Sequence, residues 1–414
     1  MEAMGFHIGW IDFSKDERDK ALDLLRLFQE QGAVDEIGIG IVRDAFADLF
    51  FPGTSTLLTR AKYFVVVPYI IQEKIEEGGR NTRSARETLR KINEEERIFA
   101  ERMRKIHVGE QTAGIIGSSA LNQGRWVKRS PSELYWNGIR TLGICGSKGV
   151  SLLQYISLGL ENCRAKGRAL GTVKRGEEEG GDDLDAGYVP GFKPFDIGGI
   201  YRKGWMRDAD ISLDAEEAKF LRGKILANIG GSVFAKALEN GVDLMKYGGD
   251  FIAFADDMAS FVDGSTCRLL KLACYFSRVV YAARIRYNMM LQGERSGEAR
   301  GRWEAFLEKG IPEESQMEEV IAALHVEGMS FHHNATASFL RQLATDLHGR
   351  DWNAMDKLIK NREIAIKGPA RAKLLHPEKY SADKMIGGGY LDYRLPDTAR
   401  IVADIYEGLG AANV

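Results

Sequence analysis

Apolar residues near the N-terminus recur at the spacing of an amphipathic helix. Ser14 and Glu17 form the pattern of a capping box, and the apolar stripe that follows them ends at Gly32. A serine followed three residues later by a glutamate is typical of a helix N-terminus, and a glycine directly after the stripe is typical of a helix end. The pattern therefore predicts a first helix from Ser14 to Gly32.

A second amphipathic helix is predicted from Asp35 to the dipeptide Pro52-Gly53, which interrupts helices. The dipeptide belongs to the stretch FFPGTSTLLTRAKYFVVVPYII, which lacks the Gly-Lys-Ser/Thr sequence of a Walker-type phosphate loop. We therefore predict an architectural role for this stretch, with Arg60 hydrogen-bonded to backbone or to a carboxylate. The β-branched run at residues 63–67 predicts a buried strand.

The next two patterns predict a long charged helix and a compact module. Residues 72–105 alternate Glu with Arg or Lys, as in an exposed helix with many opposite-charge neighbours. Further on, GIIGSSALNQGRWVKRSPSELYWNGIRTLGI has the order of a helix-turn-helix or winged-helix module. In it, Ser130 caps a helix, Pro131 takes the first helical position and Glu133 completes the capping box.

The second half of the chain has helical periodicity almost throughout. An acidic, glycine-rich stretch at residues 176–187, GEEEGGDDLDAG, predicts a linker or surface loop and a domain boundary. We predict an N-terminal domain over residues 1–175, a linker over 176–190 and a C-terminal domain over 191–414. The predicted fold class is mainly α, with a small α/β or winged-helix-like N-terminal half followed by an all-helical C-terminal half.

Composition narrows the class of protein. Of the 414 residues, 44% are hydrophobic and 28% are charged, which is typical of a globular protein. No apolar run is long enough to cross a bilayer and no secretory signal pattern is present, so we expect a cytoplasmic protein without membrane contact. The four cysteines form no Cys-x-x-Cys pair and histidines lack metal-ligand spacing. We therefore expect neither a metal site nor a cofactor.

Charge is distributed unevenly along the chain, although the formal net charge is only −2. From Arg125 to Arg175 there are ten Lys or Arg residues against two acids, and from Arg268 to Arg302 there are eight against two. Such segregation is expected of a protein that contacts polyanions with selected faces. The alternative is that these cations face solvent or form ion pairs.

The basic residues around the predicted module are the first candidate site. A recognition helix contacts bases with its first turns while neighbouring Lys and Arg residues hold phosphates. We predict that this site binds nucleic acid, and we expect DNA. The residues predicted to contact it are Arg125, Trp126, Lys128, Arg129 and Arg140. Trp126 either stacks on an exposed base or fills the core.

A second candidate site lies in RQLATDLH, where Arg341 is followed by His348 after six residues. This spacing resembles that of HEPN ribonucleases, in which an Arg and a His support attack by a ribose hydroxyl. In those enzymes a polar residue of another type usually follows the Arg, whereas Gln342 occupies that position here. A helical ribonuclease that uses Arg341 and His348 is therefore the enzymatic alternative.

Several segments together resemble an uncharacterised family of bacterial proteins known only as a domain of unknown function. The segments are IGWIDFS, GIGIVRDAFADLFFPGTSTLLTRAKYFVVVPYI, RSPSELYWNGIRTLGI, LDAEEAKFL and LDYRLPDTARIVADI. The resemblance extends over essentially the whole chain. It implies a genomic setting beside helicase-type and phospholipase-D-like genes in phage-defence islands, but it implies no catalytic residues.

These observations lead to one expected function and two alternatives. We expect a non-enzymatic adaptor subunit of a bacterial anti-phage defence complex, which contacts nucleic acid and other defence proteins, with a helicase as one candidate partner. The alternatives are the HEPN-like ribonuclease and a structural scaffold that binds only proteins. The sequence leaves the oligomeric state, the partner and the trigger open.

Overall fold

A computed structural model describes residues 35–109, 114–147, 149–173, 189–312, 316–326, 334–380, 385–387 and 389–410. These residues form fifteen α-helices and no strand. Six helices lie in the first half: α1 (Gly40–Phe50), α2 (Tyr63–Arg80), α3 (Ala85–Ile106), α4 (Ser118–Leu121), α5 (Pro131–Thr141) and α6 (Leu152–Val173). Nine follow: α7 (Ala215–Ile229), α8 (Val233–Glu239), α9 (Phe251–Met258), α10 (Gly264–Gln292), α11 (Gly297–Glu308), α12 (Gln316–Val326), α13 (Asn334–His348), α14 (Trp352–Lys367) and α15 (Leu395–Gly408).

The predicted second helix is confirmed as α1, although it begins at Gly40, five residues after Asp35. The side chain of Asp35 accepts hydrogen bonds from the N–H groups of Ile39, at 2.9 Å, and Gly40, at 2.6 Å. These bonds satisfy two amides that otherwise lack partners at a helix N-terminus. The helix ends at Phe50, directly before Pro52-Gly53, where Gly53 adopts a φ of +80°. The predicted first helix, from Ser14 to Gly32, lies outside the described residues.

The predicted strand at residues 63–67 is wrong, because these residues begin helix α2. Residues 61–71 are all buried, and α2 packs against α3, α5 and α6. Periodicity cannot distinguish a strand buried on both faces from a helix buried all round. The β-branched residues therefore predicted the burial of this segment correctly but not its backbone conformation. Pro68 lies within the helix.

The small α/β or winged-helix-like N-terminal half is not supported. Within the predicted module, the helix that precedes α5 is α4, which has only four residues. The described part of the chain contains no strand that could form a wing. A single antiparallel bridge joins Cys145 to Phe195 outside any strand. Helix α5 itself buries most of its surface, with only Glu133 and Asn137 fully exposed along its length. A helix covered in this way cannot enter a major groove.

The predicted start of α5 is confirmed. Ser130 is the N-cap, Pro131 is the first helical residue, and the carboxylate of Glu133 accepts the N–H of Ser130 at 2.9 Å. The carboxyl group of Glu96, on α3, accepts the N–H of Ser132 at 2.6 Å through its Oε1 atom. The first turn of α5 is thus fixed by one local and one long-range acidic side chain.

The described second half is all-helical, as predicted, and is organised around α10. This helix of 29 residues packs against α9, α11, α12, α13 and α14. Two hydrogen bonds join the segment before α15 to α10. Leu391 N–H donates to Ser277 Oγ at 2.8 Å, and Tyr393 Oη donates to the carbonyl of Ala273 at 2.7 Å.

Buried polar contacts connect the two predicted domains. Lys62, at the start of α2, pairs with Glu217 of α7 through Nζ–Oε distances of 2.8 and 2.6 Å, and both side chains are buried. The acidic stretch at 176–187 lies outside the described residues, so the division into domains at 176–190 remains a prediction. No helix within the described ranges has the length and apolar character that a bilayer span requires.

Candidate nucleic-acid interface

The C-terminal end of α3 contacts the loop that joins α4 to α5. Arg104 donates a hydrogen bond from Nη1 to Oδ1 of Asn122, which lies directly after α4. Lys105 follows Arg104 in the last turn of α3, where cations interact favourably with the helix dipole. The contact therefore brings two basic side chains of α3 beside the basic loop at residues 125–129.

The two segments in contact contain no acid. Residues 102–109 and 118–130 together carry six Lys or Arg residues and neither Asp nor Glu. We define the basic surface by five of them: Arg104, Lys105, Arg125, Lys128 and Arg129. All except Arg104 are exposed. The sixth, Arg102, donates instead to the carbonyl of Arg207.

The carboxylates closest in sequence to the basic surface are engaged elsewhere. Glu101 pairs with Arg97 on α3 at 3.4 Å, and Glu133 caps α5. Within the described residues, Arg125 bonds to the amide oxygen of Gln123, and neither Arg125 nor Lys128 forms an ion pair. Among the described carboxylates, Asp210 contacts this region through His107, at 3.3 Å, while Arg125 and Lys128 stay without an ionic partner. Exposed cations clustered in this way attract polyanions.

Trp126 takes a packing position. A Cβ atom on Gly117 would lie 2.4 Å from an atom of the Trp126 ring, so the indole lies directly against the Gly117 backbone. Gly117 has a φ of +86°, a conformation that other residues rarely adopt. One face of the half-buried indole is therefore covered, and of the two predicted roles for Trp126 the structure favours filling the core.

Arg140 lies apart from the basic surface. It is half-buried, and its Nη1 donates to the carbonyl of Val150 at 3.1 Å. The same carbonyl accepts the indole N–H of Trp136 at 3.1 Å. Arg140 lies ten residues beyond the Ser130 cap, which corresponds to about 15 Å along a helix. Its guanidinium thus holds Val150 in place, whereas Arg125, Lys128 and Arg129 follow one another closely in the loop before α5.

Sequence reasoning missed the contribution of α3 to this surface. The single helix predicted over residues 72–105 is wrong, because residues 72–80 belong to α2 and the helical structure is interrupted at 81–84 before α3 begins. Arg104 and Lys105 belong to α3, whose charges the sequence suggested were simply solvated. One local signal distinguishes this end, because acids are frequent from Glu94 to Glu101 and absent from Arg102 to Gly109. The contact with Asn122 has no local signal.

The second candidate site, Arg341 and His348, lies on a single exposed helix surface. Arg341 and His348 both lie on α13, seven residues apart and hence on one side of the helix. Both side chains are exposed. Arg341 forms a two-pronged ion pair with Glu318 of α12, at 2.5 and 3.1 Å. Its guanidinium is therefore held by a carboxylate instead of facing an open substrate position.

The described part of the chain contains no group of three or more His, Cys, Asp or Glu side chains that could hold a metal ion.

Comparison with known proteins gives one match. Residues 4–173 match the model of a family of unknown function, DUF6361. No curated protein and no solved structure matches the chain. The match includes α1 to α6 and the basic surface, and the resemblance predicted for the second half remains a prediction. The first 173 residues are therefore similar to a family for which no activity is described.

Proposed function

We propose that this protein binds nucleic acid through the basic surface and acts as a non-enzymatic subunit of a larger assembly. One observation carries the proposal: the Arg104–Asn122 contact joins two acid-free segments into a single positively charged surface. Lys and Arg side chains that meet phosphates release condensed counterions, which supplies most of the affinity of sequence-independent binding.

The burial of α5 determines the mode of binding that we propose. Because α5 exposes too little surface to read base edges, the basic surface contacts the phosphate backbone and not a base sequence. Such contacts position a protein on nucleic acid and carry no direct sequence information. We propose duplex DNA as the nucleic acid, and low affinity for the isolated protein, since a single small cationic surface meets few phosphates.

The assembly in our proposal is a bacterial anti-phage defence complex in the cytoplasm, and the partners are other defence proteins, with a helicase as one candidate. This part rests on the family resemblance described above and on no contact in the structure. In such a complex the subunit would hold DNA near a partner that performs the chemistry.

A protein-only scaffold is the second candidate, and one observation favours it. Ile106 and Val108 are 47% and 72% exposed beside Lys105, at the end of α3. Exposed apolar side chains next to a charged surface are also found at protein-binding sites. The two candidates differ in whether nucleic acid binds when no partner is present.

Fluorescence anisotropy of labelled nucleic acids tests the proposal. At low salt we expect the wild-type protein to bind two duplexes of unrelated sequence with equal affinity. Simultaneous Arg125→Ala, Lys128→Ala and Arg129→Ala substitution should weaken binding at least about tenfold, since three phosphate contacts would be lost. Single-stranded DNA and RNA serve as competitors. Wild-type affinity in the triple variant, or no binding by either protein, would favour the protein-only scaffold.

A further inference from the structure

A cleft of about 550 Å³ opens in the second half of the protein, remote in sequence from the basic surface. It lies between α9, α10 and the turn that follows α11. Its volume is within the range of small-molecule sites, which is roughly 300–1,000 Å³. Apolar side chains supply a large part of the lining, among them Ile252, Leu270, Ile311 and Pro312.

Helix α10 contributes a stripe of chemically active side chains to this cleft. Cys267, Lys271, Cys274 and Arg278 all line it, and their spacing of four, three and four residues places them on one side of the helix. The stripe therefore presents two thiols and two cations along one wall.

Positive charge exceeds negative charge among the described lining residues. Lys271, Arg278 and Lys309 line the cleft together with one carboxylate, Asp256. Arg278 is held in place because its Nη2 donates to the carbonyl of Gly310 at 2.9 Å, which caps the end of α11. Lys271 is exposed and forms no ion pair with the described carboxylates. Lys271 is thus the cation that is available to a ligand.

The two thiols have different chemical character. Burial raises the pKa of the Cys274 thiol to about 12, so it remains protonated and unreactive at neutral pH. The two cysteines are seven residues apart on one helix, which separates their Cα atoms by about 10 Å, too far for a disulfide. Cys267 is half-buried at the cleft and can therefore report on ligand occupancy by its rate of alkylation.

We propose that this cleft binds a small organic anion, with its apolar body against Leu270 and Ile311 and its acidic group on Lys271. An apolar lining with a small number of placed charges is the usual composition of a small-molecule site. Lys271 provides a point charge for a carboxylate, sulfonate or phosphate group. The proposal does not depend on nucleic-acid binding by the basic surface.

The test uses two probes that share an apolar body and differ in charge. Anilinonaphthalene sulfonate carries the acidic group, and phenylnaphthylamine is its uncharged counterpart. We expect the sulfonate to bind the wild-type protein and to slow maleimide alkylation of Cys267, followed by peptide mapping. Lys271→Gln should weaken sulfonate binding about tenfold, the usual loss for one charge-assisted hydrogen bond. The uncharged probe should bind both proteins equally.

Lys360→Gln, on the exposed side of α14, is the matched control and should leave both affinities unchanged. Three outcomes would overturn the proposal: no sulfonate binding by the wild-type protein, binding without protection of Cys267, or equal sulfonate affinity for the wild type and Lys271→Gln. Thermal unfolding of each variant verifies that the fold is intact.

Discussion

The carboxylate of Asp404 in α15 accepts hydrogen bonds from Nε of Arg60, at 2.9 Å, and from the backbone N–H of Ala61, at 2.7 Å. The two side chains are 344 residues apart in sequence. Asp404 is only 7% exposed, and it satisfies the amide that lies just before α2. The loop after Pro52-Gly53 is thereby fixed to the last helix of the chain, which is the architectural role predicted for Arg60.

The first prediction concerns this pair. Arg60→Met should lower the free energy of unfolding by about 2–4 kcal/mol, because it leaves the buried Asp404 carboxylate without its cation. Chemical denaturation measures the loss. The double variant Arg60→Met/Asp404→Asn should recover part of it, since the uncompensated charge is also removed. Unchanged stability together with the loss of an anionic ligand would instead support a phosphate-binding loop.

The second prediction concerns Glu96, which is 1% exposed beneath α5. Burial raises the pKa of this carboxyl to about 8, although the N–H of Ser132 acts in the opposite direction. The folded protein therefore retains a proton on Glu96 that the unfolded chain has lost above about pH 4.5. Stability contributed by this group should fall as the pH rises from about 4.5 to about 8 and remain constant above that.

The substitution Glu96→Gln tests this dependence because the amide cannot ionise. Relative to the wild type, the variant should gain stability steadily between pH 5 and pH 8, by on the order of 4 kcal/mol, and should gain no more above pH 8. Thermal unfolding of both proteins at several pH values gives the difference between their free energies of unfolding. Glu94→Gln, at an exposed position of the same helix, controls for the charge change. A difference between Glu96→Gln and wild type that does not vary with pH would refute the predicted protonation.

The third prediction concerns catalysis. Purified protein, with Mg²⁺ or Mn²⁺ present, should cleave neither DNA nor RNA on its own, since Arg341 is held by Glu318 on an exposed helix surface. Gel assays with labelled substrates measure cleavage, and the His348→Ala variant is the reference. Metal-independent cleavage of RNA that disappears in His348→Ala would establish the HEPN-like ribonuclease instead.

Local signals in the sequence were sufficient for several helices. The hydrogen bonds at Asp35 and at the Ser130 cap join residues within a few positions of each helix start, so their patterns predicted α5 closely and the start of α1 to within five residues. Helix α2 was missed because its apolar run is buried on every side, and such a run has no face that reveals a period.

The candidate interface was predicted only in part, for a physical reason. The loop cations Arg125, Lys128 and Arg129 are visible in sequence as a cluster before a capped helix. Their position beside Arg104 depends on a contact between α3 and the loop. Arg140 does not belong to the surface, because its guanidinium donates to the carbonyl of Val150. Long-range contacts of this kind arise from packing, and no local pattern encodes them.

The dependence of duplex binding on salt tests the central claim most directly. If the basic surface contacts four phosphates, the logarithm of the binding constant should fall with the logarithm of the salt concentration at a slope of roughly −3.6. The triple variant Arg125→Ala/Lys128→Ala/Arg129→Ala should flatten that slope by about 2.7 if all three side chains touch phosphate.

A matched control removes the same charge elsewhere. Arg86 and Arg90 lie near the other end of α3 and Lys360 lies on α14, and all three are exposed. The control variant with alanine at these three positions should show nearly the same salt slope as the wild-type protein. We therefore predict a flattened slope for the loop variant alone, and equal slopes for the wild type and the loop variant would contradict nucleic-acid binding by the basic surface.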